Sequence, residues 1–201
     1  IIFLILVVKK KEYFYLIHPL SIIFWIWCFY LILRSLFAGD ILLSLESSLF
    51  YFRFGFFALS IWYIIENNKF FLKNIFTIFF FLLVFVIIDG YFQFFLGKNL
   101  LGFEYDGSRL SGIFGDEKIL GSFLSRTLPI FFSLTVLLYS NNKFYIILSL
   151  ILLILIDILI YITGERTAFF NLLLFSLIII VFTNKWKLIR LITIGISFIC
   201  I

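Results

Sequence analysis

The sequence contains no methionine, one histidine, two prolines and two cysteines, and only 13% of its residues are charged. So little charge excludes a soluble globular domain, where the share is about 25%. Cys28 and Cys200 lie in apolar runs with no His or Cys neighbour at metal-ligand spacing. That argues against a disulfide framework or a zinc site, and both read as small buried hydrophobes. His18, beside Pro19 and with no partner in sight, reads as structural. Without methionine, and with Ile-Ile-Phe-Leu at one end and Phe-Ile-Cys-Ile at the other, the chain reads as a fragment of a longer protein. Its first residues read as a clipped transmembrane helix, since a signal peptide would show a preceding basic region and a small-residue cleavage site.

What is present is apolar: 64% of residues are hydrophobic and the mean hydropathy is +1.22. The expected class is all-α, a polytopic transmembrane helix bundle forming a single domain over 1–201. A spanning helix needs about 20 mainly apolar residues. Polar interruptions define six full spans, at 13–33, 48–66, 75–96, 117–139, 144–162 and 167–183, with truncated helices at both ends. The 31 phenylalanines suit lipid contact and packing rather than a nucleotide-stacking surface, so no nucleic-acid partner is expected.

Basic residues in short loops orient such a chain. One side collects Lys9, Lys10, Lys11, Lys69, Lys73, Lys143, Lys185, Lys187 and Arg190, and is expected to be cytoplasmic. The other side carries Arg34, Lys98, Arg109, Lys118, Arg126 and Arg166, mostly arginine, the side chain suited to bidentate grip on phosphate or carboxylate.

Two polar islands stand out. In Arg109–Leu124, Ser111 and Asp116 are each placed to N-cap the following helix, with Arg109 just outside its N-terminal end, where free N–H groups attract anions. In Thr163–Ala168 a small-residue break again precedes an arginine, Arg166, in the first turn of an apolar helix. Each arginine is open to two readings, an anion ligand or a side chain snorkelling to the interface. Arg126, two to three turns into the next span, either lines the same cavity or snorkels. Asp89 and Gln93, one helical turn apart, would contact sugar hydroxyls or a neighbouring helix. Glu165 would orient Arg166, act as a base, or stabilise its own helix. Arg53 and Asp157, both inside spans, are expensive unless paired, with each other as one option.

On these residues the chain resembles the O-antigen ligase and polymerase family of bacterial inner-membrane proteins. Arg109, Gly112, Phe114 and Gly115 are similar to that family's Arg-x-x-Gly-x-Phe-Gly pattern, followed by a small-residue helix with Gly121 that ends near Pro129. Thr163, Gly164, Arg166 and Ala168 are similar to its Thr-Gly-Ser-Arg-x-Ala pattern, and Asp89 to Gly97 to the run entering the first motif. The likeness spans about 85–182. It departs at Asp116-Glu117-Lys118, where Asn-Pro-Asn is frequent, and at Glu165, where Ser is frequent. The resemblance implies glycan transfer from an undecaprenyl-diphosphate carrier at the periplasmic face of the inner membrane. The acceptor would be lipid A-core or a growing glycan, within a setting of membrane lipids. Arg109, Arg166 and Arg126 would hold the diphosphate with no metal or cofactor, and the catalytic histidine would lie on a loop beyond Ile201. A transporter or flippase of an anionic lipid-linked glycan or solute is the alternative.

Overall fold

The computed structural model describes residues 2–68 and 70–200, apart from the side chains of Ile2, Leu4, Leu6, Val8 and Lys185; Lys69 lies outside the described residues. The described residues are all-α. The helices are α1 (Ile2–Lys10), α2 (Phe14–Ile17), α3 (Pro19–Ser35), α4 (Ile41–Leu49), α5 (Phe52–Asn67), α6 (Phe71–Leu96), α7 (Leu120–Tyr139), α8 (Lys143–Ile162), α9 (Arg166–Phe182) and α10 (Asn184–Cys200), with a 3-10 turn at Gly112–Phe114. Among the described residues, four stretches are long and apolar enough to cross a membrane: Ile41–Asn67, Phe71–Leu96, Leu120–Tyr139 and Lys143–Ile162. This is the fold of a membrane protein. Pro19–Ser35 and Arg166–Phe182 are apolar but have 17 residues each, which at about 1.5 Å per residue reach about 25 Å of the ~30 Å hydrocarbon core.

The chain divides into two compact units, Ile1–Phe71 and Leu72–Ile201. In the first, Phe3, Val7, Tyr15, Leu59 and Tyr63 form the core. Tyr15 and Trp62 both donate to the Glu66 carboxylate. His18 is the N-cap of α3: Nδ1 accepts from the Leu20 amide, and Pro19 fills the first helical position, where a missing N–H costs nothing. The residues 34–47, expected as a loop, include most of α4, which Asp40 caps through the Leu43 amide.

In the second unit α7 places Leu120, Leu124, Leu128 and Phe131 on one buried stripe, the spacing a helix needs to present a single face. These pack with Leu153, Ile156, Leu159 and Ile160 of α8 and with Leu83, Val86 and Ile87 of α6. α7 packs on both α8 and α9, and α10 packs on both α8 and α9. The stretch 184–190, expected as a lysine-bearing loop, is the first part of α10, and Arg190 is buried in the bundle at 1% exposure. Arg190 forms a two-pronged ion pair with Asp157 of α8 at 2.7 and 3.1 Å and also donates to Ser176 and Thr193. The partner of Asp157 is therefore Arg190, and Arg53 instead lies over the Phe54 ring at 4.9 Å. Cys28 is buried as expected, but Cys200 is exposed on α10, so the reading of both as buried hydrophobes holds for one.

Candidate functional site

The site is built at the end of the second unit where α6 finishes and α7 and α9 begin. α6 stops at Gly97, whose φ of +75° and amide bond back to the Gln93 carbonyl form a left-handed helix end. The chain then makes a small hairpin, with Lys98 bridging Glu104, and the Asn99 side chain accepts from the Leu101 and Phe103 amides.

Asp89 and Gln93, both fully buried, hold this loop from below. Asp89 accepts from the Leu100 amide at 2.9 Å and from Asn99 at 3.5 Å, while Asn99 donates to the Gly112 carbonyl at 2.6 Å. Gln93 accepts from the Ser111 and Gly112 amides at 3.1 and 2.8 Å and donates to Ser111 Oγ and the Phe103 carbonyl. The pair was expected to meet a sugar or a neighbouring helix; in the structure its partners are the loop itself. Gly112 has a φ of +56°, and a Cβ there would sit 3.3 Å from Asp89 Oδ2, so the tight seat over the carboxylate calls for glycine.

Above this anchor, Asp106 accepts from the Ser108 amide and hydroxyl and pairs with Lys118, which also donates to Ser108 Oγ. The Lys118 hydrogen bond first, then those of Ser108, hold the Asp106 carboxyl well below the usual carboxylate range. The clasp closes the loop on both sides of Arg109.

The helix-start expectation is corrected. α7 begins at Leu120, not 117, and its N-cap is Ile119, which makes no side-chain cap bond. Ser111 is held by Gln93, and Asp116 is exposed in a turn, so neither caps α7. The cap comes from the other island. Glu165 Oε1 accepts from the Gly121 amide at 2.7 Å, and Oε2 accepts from the Ser122 amide and hydroxyl at 3.0 and 2.6 Å. Of the roles considered for Glu165, the structure gives a different one: it makes no side-chain cap bond to α9 and instead neutralises the free amides of α7. Gly121 permits this approach, because a Cβ there would meet Thr163 Oγ1 at 2.5 Å and Ala168 Cβ at 3.1 Å.

The two islands therefore share one end of the bundle. A Cβ built on Gly164 would lie 3.7 Å from the Ser108 carbonyl and 4.0 Å from Arg109 Cγ, so the stem of Arg109 runs beside the second island. Arg109, Arg126 and Arg166 are all exposed and make no hydrogen bond or ion pair among the described residues. Arg126 stands one helical turn below Ser122, on the same face of α7. A cavity of about 170 Å³ is lined by Ile160, Tyr161, Gly164, Glu165, Arg166 and Phe169. Neither Arg109 nor Arg126 lines it. Among the described residues no group of three or more His, Cys, Asp or Glu is gathered in a form that would hold a metal ion.

Sequence reasoning missed Asn99 and Ser122, and placed Arg190 in a loop rather than in the buried pair. An Asn two residues after a helix-ending glycine is a turn signal that would have flagged Asn99. Ser122 and Arg190 carry no such local signal, because their partners lie 43 and 33 residues away. Comparison with protein-family models, curated proteins and solved structures finds no match.

Proposed function

We propose that the protein is a membrane glycosyltransferase of the O-antigen ligase or polymerase type, taking glycan from an undecaprenyl-diphosphate carrier at the periplasmic face of a bacterial inner membrane. The observation that carries this reading is that two segments far apart in sequence, each with an arginine that has no hydrogen-bond or ion-pair partner among the described residues, meet at one end of the bundle: Glu165 takes the first amides of α7, and Gly164 lies beside Ser108 and the stem of Arg109. Two uncompensated guanidiniums on one fastened platform suit a diphosphate, whose charge is spread over several oxygens. Transfer from a lipid diphosphate builds negative charge on the leaving oxygen, and donors fixed beforehand stabilise it without reorganisation. Glu165 already occupies the α7 amides, so the arginines rather than the helix end would supply that stabilisation. The acceptor hydroxyl needs a base, which this reading assigns to a histidine outside 1–201. The intramembrane charges Asp157 and Arg190 are engaged with one another, which offers little to the alternative of a solute transporter.

The test is glycan transfer in membranes containing the complete protein. Arg109→Lys keeps the charge but loses the planar fork, so transfer falls by at least about tenfold at normal protein level. Wild-type transfer in that variant sinks the bidentate contact.

A further inference from the structure

Beneath Arg166 lies a second cavity of about 210 Å³, lined by residues of α8, α9 and α10 that include Asp157, Leu173, Ser176, Arg190 and Ile194. Tyr161 and Phe169 line both this cavity and the one that holds Arg166, their rings 6.3 Å apart edge to face. We propose that the two form one slot for an amphipathic anion, with the hydrocarbon chain of the lipid carrier descending between α8, α9 and α10 from a phosphate held at Arg166. This rests on the reading of Arg166 as a diphosphate ligand and adds where the lipid goes.

Depth fits the occupant. From Arg166 to Ser176 is ten residues of continuous helix, about 15 Å at 1.5 Å per residue, which is half of a ~30 Å hydrocarbon core. The slot thus reaches as far as one leaflet of lipid chain. Its floor chemistry fits too. Arg190 donates to Asp157, Ser176 and Thr193; Ser176 donates to the Leu172 carbonyl and Ser197 to the Thr193 carbonyl. A buried water needs two to four polar partners, and these groups are taken. The rest of the lining is apolar, with Leu172, Leu173, Ile194 and Phe198 beside Tyr161 and Phe169, so hydrocarbon is the matching filler above this self-paired polar floor. Leu173 and Phe198 are themselves half or more exposed, which leaves the slot open sideways to lipid.

The experiment measures binding to the purified complete protein in detergent with three probes: inorganic pyrophosphate, farnesyl diphosphate and phosphatidylglycerol. Farnesyl diphosphate is expected to bind at least about tenfold more tightly than pyrophosphate, through the buried chain. Leu173→Trp, which fills the slot, removes that advantage and leaves pyrophosphate binding unchanged. Because that variant disturbs packing, a diphosphate with a benzophenone in its tail is photolysed on the unaltered protein, and adducts are expected on peptides carrying Leu173 or Ile194. Equal affinity for pyrophosphate and farnesyl diphosphate, or adducts confined to helices other than α8, α9 and α10, overturns the slot. Phosphatidylglycerol that binds as tightly and with the same Leu173→Trp sensitivity makes it a site for bulk phospholipid and overturns the carrier assignment. Arg166→Ala is the separate control: if it weakens neither diphosphate, the reading of Arg166 fails, whatever Leu173 shows.

Discussion

Glu165 and Gly121 meet at 2.7 Å, carboxylate oxygen to backbone amide, across 44 residues of sequence. This contact joins the loop before α9 to the first turn of α7, and it replaces the local cap that α7 lacks. Helix ends are ordinarily capped from the preceding few residues; here the cap also ties the loop before α9 to α7.

Removing the Glu165 carboxylate leaves the Gly121 and Ser122 amides without their acceptor. Glu165→Ala is expected to destabilise the protein by about 1–3 kcal/mol, and Glu165→Gln, which keeps acceptor oxygen but not the charge, by less. Thermal unfolding in detergent reads the order, and an alanine variant as stable as the wild type removes the cap from the account.

Gly121→Ala tests the same seam from the other side. A methyl group there collides with Thr163 Oγ1, and overpacking of this kind costs about 1–3 kcal/mol. Thr163→Ala in the same chain removes the colliding oxygen and should recover part of the loss. If the second change adds to the damage instead, the close approach of α7 to the 163–168 segment is misdescribed.

Breaking the buried pair is expected to be the most damaging of these changes. Asp157→Leu or Arg190→Met alone leaves a buried charge unmatched and costs about 3–5 kcal/mol, whereas the double variant with apolar residues at both sites is much milder. The comparison is made by folded yield in membranes and by unfolding temperature. Singles no worse than the double would mean that the two charges do not meet.

The Asp106 clasp makes a pH prediction. Its carboxyl is held down in the folded protein, so its contribution is fully present above the ordinary value of about 3.9 and is lost only as the pH falls through the lower, folded value. Hydrogen exchange of the 106–118 amides, corrected for intrinsic rates, should therefore show the same protection at pH 8 and pH 5. Asp106→Asn should lower protection equally at both. A wild-type loop that opens between those two values contradicts the depressed carboxyl.

Arg109→Ala and Arg166→Ala are expected to be strongly non-additive in glycan transfer by the complete protein. If both guanidiniums grip one diphosphate, losing either already dismantles the contact. Losses that add would place the arginines in separate sites.

Hydropathy made most of the helices legible: among the described residues, the spans expected at 48–66, 75–96, 117–139 and 144–162 correspond to stretches long enough to cross, since a long apolar run has few other ways to satisfy its backbone in lipid. By contrast, 13–33 divides at His18 into α2 and α3, and 167–183 is the shorter α9. Polar residues were legible by type but not by partner. Asp89 and Gln93 were recognisable as one face of α6, yet no local pattern says that this face grips residues 99–112. Arg190 was counted with the topology lysines because charge near a membrane edge normally faces water; only the packing of α10 on α8 reveals Asp157 opposite it. Glu165 misled for the same reason, because sequence places a carboxylate on its own helix and folding gave it to another.

The anchoring of the loop by Asp89 and Gln93 has a consequence for how recognition at this end would change over time. Their grip falls chiefly on main-chain amides, at Leu100, Ser111 and Gly112, and so is indifferent to most of the side chains that the loop carries. Asn99 and Gly112 are tied to the anchor by shape; Leu101, Glu104 and Asp116 are not. The loop behaves as a fixed mount with exchangeable fittings, on which exposed side chains can be rewritten residue by residue without unseating Arg109.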